Sequence, residues 1–223
     1  MDAPGPDHPG DGAGDDVDAG VGKVDLRRDV ATYSAPRGRF ELVEVAPAQF
    51  LALDGHGDPN TAPAYADALA TLYPVAYRLK FASKAAGRDY GVMPLEALWW
   101  SDDLATFTSA RDKSRWSWRV LNLVPPWLGA DDVARACEEV ERGGTAPALP
   151  LLRLETFEEG LVVQTLHVGP YDDEGPVLAA MHRHAGDEGY VLSGRHHEIY
   201  LSDPRRAAPE RLRTILRQPV ARP

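Results

Sequence analysis

An internal echo limits the fold of this chain more than any other feature. Shifting the sequence by 111 residues lays HGDP (56–59) over HVGP (167–170), Glu44 over Glu155 and Phe50-Leu51 over Leu161-Val162. The matched stretches are short, and their weight comes from the element order around them, which also repeats. In the first unit a strand around QFLALDGHG precedes a helix in NTAPAYADALATLY, with Thr61 as N-cap and Pro63 in the first turn, where a missing N–H is harmless. Tyr65, Leu69 and Leu72 then share one helical face. Two strands follow, in RDYGVMPLEALWW and SRWSWRVLNLVPPW, separated by the polar stretch SDDLATFTSARDK. A further amphipathic helix in GADDVARACEEVERGG starts with Asp131 and stops at Gly143, and TAPALP reads as a linker.

The second unit opens with the strand GLVVQTLHVG and a helix in EGPVLAAMHRHAGDEG, then closes with GYVLSGRHHEIYLSD and LRTILRQPV. Strand–helix–strand–strand therefore occurs twice, in modules of about residues 40–128 and 151–223. The economical expectation is an α+β fold: one antiparallel sheet with helices on one face. A ligand pocket is expected at the seam between the halves, where pockets often form.

Charge narrows the partners. The formal charge is −10, but residues 1–22 carry six Asp and no Lys or Arg, which leaves −4 for the rest. That Gly-, Pro- and Asp-rich opening, through about residue 23, lacks apolar periodicity and reads as a disordered tail. The body has no basic stripe, so nucleic acid is not expected as a partner. No apolar run is long enough to span a bilayer and no signal peptide is evident, and the lone Cys137 suits a reducing cytoplasm. Cys137 shares a helical pattern with Val133, Ala136 and Val140 and reads as a small hydrophobe.

Chemistry concentrates in RHHEIYLSD (195–203). Alternation puts His196, Glu198 and Tyr200 on one strand face and Ile199 and Leu201 on the other, and the aliphatic face is expected to cover the helices. In LEALWW, Glu96, Leu98 and Trp100 share a face, and Leu95, Ala97 and Trp99 share the opposite one. The duplication would pair Glu96 with Glu198 and Leu98 with Tyr200. Each module would then present a carboxylate beside apolar or aromatic surface, an arrangement suited to a flat, apolar or cationic ligand. A glutamate on an antiparallel strand can equally face solvent, since such sheets often leave one face wet. Trp116 and Trp118 share a strand face and fit packing as well as function, whereas Trp127 in PPW lies just past a strand end, where a ring can rim a cavity.

Neither a metal nor a cofactor is expected. His196 and His197 point opposite ways on a strand, and His182 and His184 diverge on a helix. No helical HxxxH pair, cysteine ligand set, G-x-S-x-G elbow, G-x-G-x-x-G or P-loop is present.

The motifs YPVAYRLKF, DYGVMPLEALWW, HVGPYDDEGPVLAAMH, GYVLSGRHHEIYLSDPRR and LRTILRQPV resemble those of the GyrI-like small-molecule-binding proteins, over residues 24–223. The resemblance implies a duplicated strand–helix–strand–strand fold enclosing a ligand cavity. It further implies that planar apolar cations bind against a buried glutamate, which by position looks like Glu198. Without a DNA-binding fusion, a stand-alone binder or enzyme is expected over a transcription regulator.

The LWW and HHEIYLSDP motifs resemble the cyclopropanoid cyclohydrolase branch, which adds water across the strained cyclopropane of DNA-alkylating natural products of the yatakemycin and CC-1065 type. On that resemblance Glu198 would orient or deprotonate the water, and Tyr200 or His196 would bond the developing oxyanion. Trp99 or Trp100, Phe107, Trp127 and Tyr171 would form the aromatic cage, with alternation admitting only one of the two adjacent tryptophans. The resulting expectation is a cytoplasmic, detoxifying hydrolase that confers resistance. The alternative is a non-catalytic multidrug-binding or sequestering protein using the same pocket.

Overall fold

The computed structural model describes residues 22–103, 112–144 and 146–223. In chain order the elements are α1 (Leu26–Asp29), β1 (Glu41–Val45), β2 (Ala48–His56), α2 (Pro63–Ala85), β3 (Leu95–Trp100), β4 (Ser117–Leu123) and α3 (Ala130–Gly143). They continue with β5 (Arg153–Phe157), β6 (Gly160–Val168), α4 (Glu174–Asp187), β7 (Val191–Leu192), β8 (His196–Tyr200) and β9 (Arg213–Ala221). The strands form one sheet in the order β1-β6-β9-β8-β3-β4-β2-β5, with β7 paired to β9. All ladders between these strands are antiparallel.

This order is symmetric about its middle. β3 and β8 meet at the centre, flanked by β4 and β9, then β2 and β6, then β5 and β1. The expected α+β duplication is thus present, with an exchange the sequence pattern did not reveal. The first strand of each half, β1 or β5, pairs with the second strand of the other half, β6 or β2.

Short connections bend the sheet. Only Ala46 and Pro47 join β1 to β2, and only Glu158 and Glu159 join β5 to β6, although each pair lies towards opposite ends of the strand order. Two residues span about 10 Å, so the sheet must curl until its edges approach. The Phe157 ring on edge strand β5 accordingly lies 6.3 Å from the ring of His197 on central strand β8.

Residues facing each other across a ladder share a sheet face. The registers Trp99↔His196, Trp99↔Trp118 and Glu198↔Leu216 therefore define one face. Helices α2 and α4 pack there. From α2, Tyr65 stacks on Trp99 and meets Trp118 edge-on, while from α4 Met181 and Ala185 join Val163 and Leu216. The opposite, inner face of the curl holds Leu98, Leu121, Ile199 and Ile215. This corrects one expectation: Ile199 turns away from the helices, and Glu198 turns towards them.

Two helix details also differ. The N-cap of α2 is Ala62 rather than Thr61, and it makes no side-chain cap bond. The helix also continues through Pro74 to Ala85, because Val75, Ala76, Leu79 and Ser83 are buried beyond the proline. The stretch read as a linker packs closely, with Ala148 N–H donating to Thr71 Oγ1 of α2 at 3.0 Å.

Candidate functional site

The symmetric seam leaves a gap on the helical face between α2 and the start of α4. It is a cavity of about 1200 Å³. Along α2 a four-residue step places Tyr65, Leu69, Tyr73 and Tyr77 on its wall. Trp99 of β3, Trp116 just before β4, and Tyr171 in the turn preceding α4 complete the aromatic lining, and β8 contributes Glu198 and Tyr200. Residues Lys23 to Arg27 border the cavity as well.

The rings support one another. Tyr65 stacks on Trp99 at 6.1 Å and 22°, Trp99 meets Trp116 at 5.8 Å and 68°, and Tyr171 meets Tyr200 at 5.6 Å and 78°. Edge and offset arrangements of this kind suit the aromatic quadrupole and leave ring faces available to a planar guest.

Glu198 is held by a directional chain. The Trp99 indole N–H donates to the Tyr200 hydroxyl at 3.2 Å, and that hydroxyl donates to Glu198 Oε2 at 2.7 Å. The other carboxylate oxygen, Oε1, stands 3.3 Å from His196 Nε2. Burial and the Glu198 charge push the Tyr200 phenol well above its ordinary range. The same two causes raise Tyr65, and burial with the charges of Glu174 and Glu198 brings Tyr171 up to about 12. At neutral pH these phenols keep their protons and act as donors rather than bases. A carboxylate among fixed donors and ring faces can bind a cation or accept a proton from water.

The structure sorts the expected site residues. Trp99, Tyr171, Glu198 and Tyr200 come together at the cavity. His196 lies beside Glu198 without lining it. Trp100 faces the other side of the sheet, where the Arg195 guanidinium sits 3.5 Å over its ring. Trp127 borders a separate cleft of about 420 Å³ between α2 and α3, and its indole donates to Ser83 Oγ at 3.0 Å. Phe107 lies outside the described residues.

Glu96 is a correction with a clear physical reason. It pairs with Ile199 rather than Glu198, so it points into the curl. There it receives the Tyr33 hydroxyl and lies 3.0 Å from His197 Nε2. Glu159 bonds His197 Nδ1 at 3.0 Å and Arg217 at 2.9 Å, which completes a buried ionic cluster. Burial opposes the charged His197 ring, but Glu159 and Glu96 outweigh it and raise the pKa to about 9. Burial likewise opposes the Glu159 charge, but His197 and Arg217 bring it down to about 2. The cluster also fastens the N-terminal segment, since Arg217 donates to the Thr32 carbonyl at 2.7 Å.

Sequence reasoning missed Tyr73, Tyr77 and Glu174. The four-residue aromatic step from Tyr65 to Tyr77 was the available signal for the first two. Among the described residues, no group of three or more His, Cys, Asp or Glu side chains is placed to hold a metal ion, and no helix is long and apolar enough to cross a membrane.

The profile of the GyrI-like small molecule binding domain matches residues 39–221. Among solved structures, an uncharacterized conserved protein from Listeria innocua is 34% identical with a TM-score of 0.81, covering 89% of this chain and 100% of that one. A protein from Listeria innocua described as a hydrolase is 33% identical with a TM-score of 0.78, over 89% of this chain and 100% of its own. Another hydrolase from Listeria innocua is 34% identical with a TM-score of 0.79, over 90% of this chain and 100% of its own. No curated protein sequence matches the chain.

Proposed function

Because the chain belongs to the GyrI-like small molecule binding domain family, we propose that the aromatic cavity takes up flat, apolar molecules and that Glu198 directs water onto them. The substrate class we infer is the cyclopropane-bearing DNA alkylator of the yatakemycin type, and the biological outcome is detoxification. The observation that carries this reading is a carboxylate fixed by Tyr200 inside a wall of stackable rings. The two similar structures described as hydrolases support a hydrolytic role.

The chemistry follows from the groups present. Stacking between Tyr65, Trp99, Trp116 and Tyr171 holds the planar dienone near attack geometry. Glu198 accepts a proton from water as the water oxygen bonds to a cyclopropane carbon. The strained C–C bond breaks, and its electron pair moves through the ring to the carbonyl oxygen, which becomes a phenolate. The proton of the Tyr200 hydroxyl is already directed at Glu198. The donor to the phenolate therefore falls to another cavity phenol, Tyr65 or Tyr171, both of which line the cavity and remain protonated.

Turnover in isotopically heavy water tests the route. The label is expected on the carbon that leaves the ring. Product without label would exclude water addition, and drug held intact at one equivalent per protein would favour the sequestering alternative.

A further inference from the structure

The N-terminal segment touches both faces of the sheet. On the helical face, Lys23 to Arg27 border the cavity. The Val24 N–H donates to the Asp89 carbonyl at 2.9 Å, and Val24 bridges Tyr90, in the stretch that leads into β3. Leu26 is buried and opens the short helix α1, where the Asp25 carboxylate accepts from the Arg28 N–H at 3.3 Å. A few residues later the chain reaches the inner face. The Tyr33 ring is buried, its hydroxyl donates to Glu96, and the Thr32 carbonyl accepts from Arg217 at 2.7 Å.

Arg217 is the hub of that inner anchor. Its Nη2 holds Thr32, its Nη1 holds Glu159 at 2.9 Å, and its Nε donates to Gln164 Oε1 at 3.1 Å. Gln164 Nε2 in turn donates to the Ser34 carbonyl at 3.1 Å. A buried guanidinium engaged at all three nitrogens fixes its partners in direction as well as distance. The anchor stands directly behind the cavity: Glu96 and His197 point inward from β3 and β8, while their neighbours Leu95 and Glu198 line the cavity from the same strands. Leu95 and Trp99 both line it, and four residues of strand separate them by about 13 Å. The wall follows the stretch before Leu95, away from the ring cage around Trp99.

We propose that Tyr33 and Arg217 are positioning residues of the cavity: from inside the curl they clamp Thr32 and Tyr33, and so hold Lys23 to Arg27 against the far end of a long planar guest. The proposal rests on the cavity being the ligand site and not on hydrolysis. Neither residue lines the cavity, so each acts through the segment. Coupling between two sites is reciprocal, so a long guest pressing on the wall also tightens the clamp.

The test uses two probes: indole, which fills only the ring cage, and a linear bis-benzimidazole dye, longer than the span from Leu95 to Trp99. Tyr33→Phe removes one hydroxyl, and Arg217→Lys keeps the charge while losing the fork. In each variant the dye is expected to bind about tenfold more weakly, with indole affinity unchanged. In the ligand-free protein, Tyr33→Phe should speed hydrogen exchange of the Val24 amide relative to amides of the central strands, and in wild type the dye should slow it. Equal losses for indole and dye would mean general loosening and would overturn the positioning role. Either a dye affinity or a Val24 exchange rate in Tyr33→Phe that matches wild type would overturn it too. Failure of both probes to bind wild type would instead sink the cavity as the ligand site, and the Val24 exchange rate would still decide whether the clamp reaches the wall.

Discussion

Glu198 has one oxygen fixed by the Tyr200 hydroxyl and the other beside an imidazole, with an aromatic cavity in front. Replacing it with Gln preserves the shape and removes the base. Glu198→Gln is expected to lower turnover by roughly 100-fold or more while leaving affinity for a neutral planar ligand within a few-fold, read by tryptophan fluorescence. Unchanged turnover would mean that another group activates water. The cage makes a separate demand. Trp116 lines the cavity and meets Trp99 edge-on, so Trp116→Ala should weaken planar ligands by about tenfold, mainly in KM. Alternation in RHHEIYLSD was enough to group His196, Glu198 and Tyr200. It could not tell that Trp99 rather than Trp100 joins them, because that follows from the Trp99↔His196 register.

The strands and helices were legible where apolar periodicity was strong, and their boundaries failed where tertiary packing overrides local rules. The helix read in NTAPAYADALATLY reaches only Tyr73, yet α2 continues through Pro74 because its next turns are buried. The offset between halves misled in one case. Aligning Glu96 with Glu198 assumes parallel parity across the dyad, whereas the β3–β8 register puts Glu96 opposite Ile199 and sends it inward.

That inward cluster makes a pH prediction for the central strands. The His197 pKa is raised from 6.5 to about 9 on folding, so its contribution is complete below pH 6.5 and is lost as pH rises through about 9. The Glu159 pKa is lowered from 4.5 to about 2, so its contribution is complete above pH 4.5 and is lost as pH falls through about 2. Melting temperature should therefore be highest between these limits and decline on the alkaline side, and Glu159→Gln should flatten the acid arm. That variant leaves buried positive charge uncompensated and should cost about 3–5 kcal/mol, read by denaturant unfolding. An alkaline arm unchanged in His197→Gln would refute the assignment.

At the scale of the molecule, two-residue connections joining opposite ends of the strand order force the curl, and the curl separates two kinds of chemistry. The inner face buries paired charges that lock the sheet and the N-terminal segment. The outer face carries two symmetry-related helices with a gap between them, lined by unlike residues from the two halves. The duplication predicted a pocket at the seam. Which face bears it depends on the exchange of β1 and β5, for which the sequence pattern carries no local signal. Lys23 to Arg27 border the cavity from outside the residues matched by the family profile. Exchanging this segment with that of a relative should change ligand preference more than turnover, measured as KM across a ligand series.

The central claim is that this cavity performs water addition rather than storage. Purified protein incubated with a large molar excess of a cyclopropane-bearing alkylator, followed by mass spectrometry, decides it. Many equivalents of product, each heavier by one water and formed at a rate proportional to protein, are predicted. Intact drug, protected only up to one equivalent per chain, would contradict it.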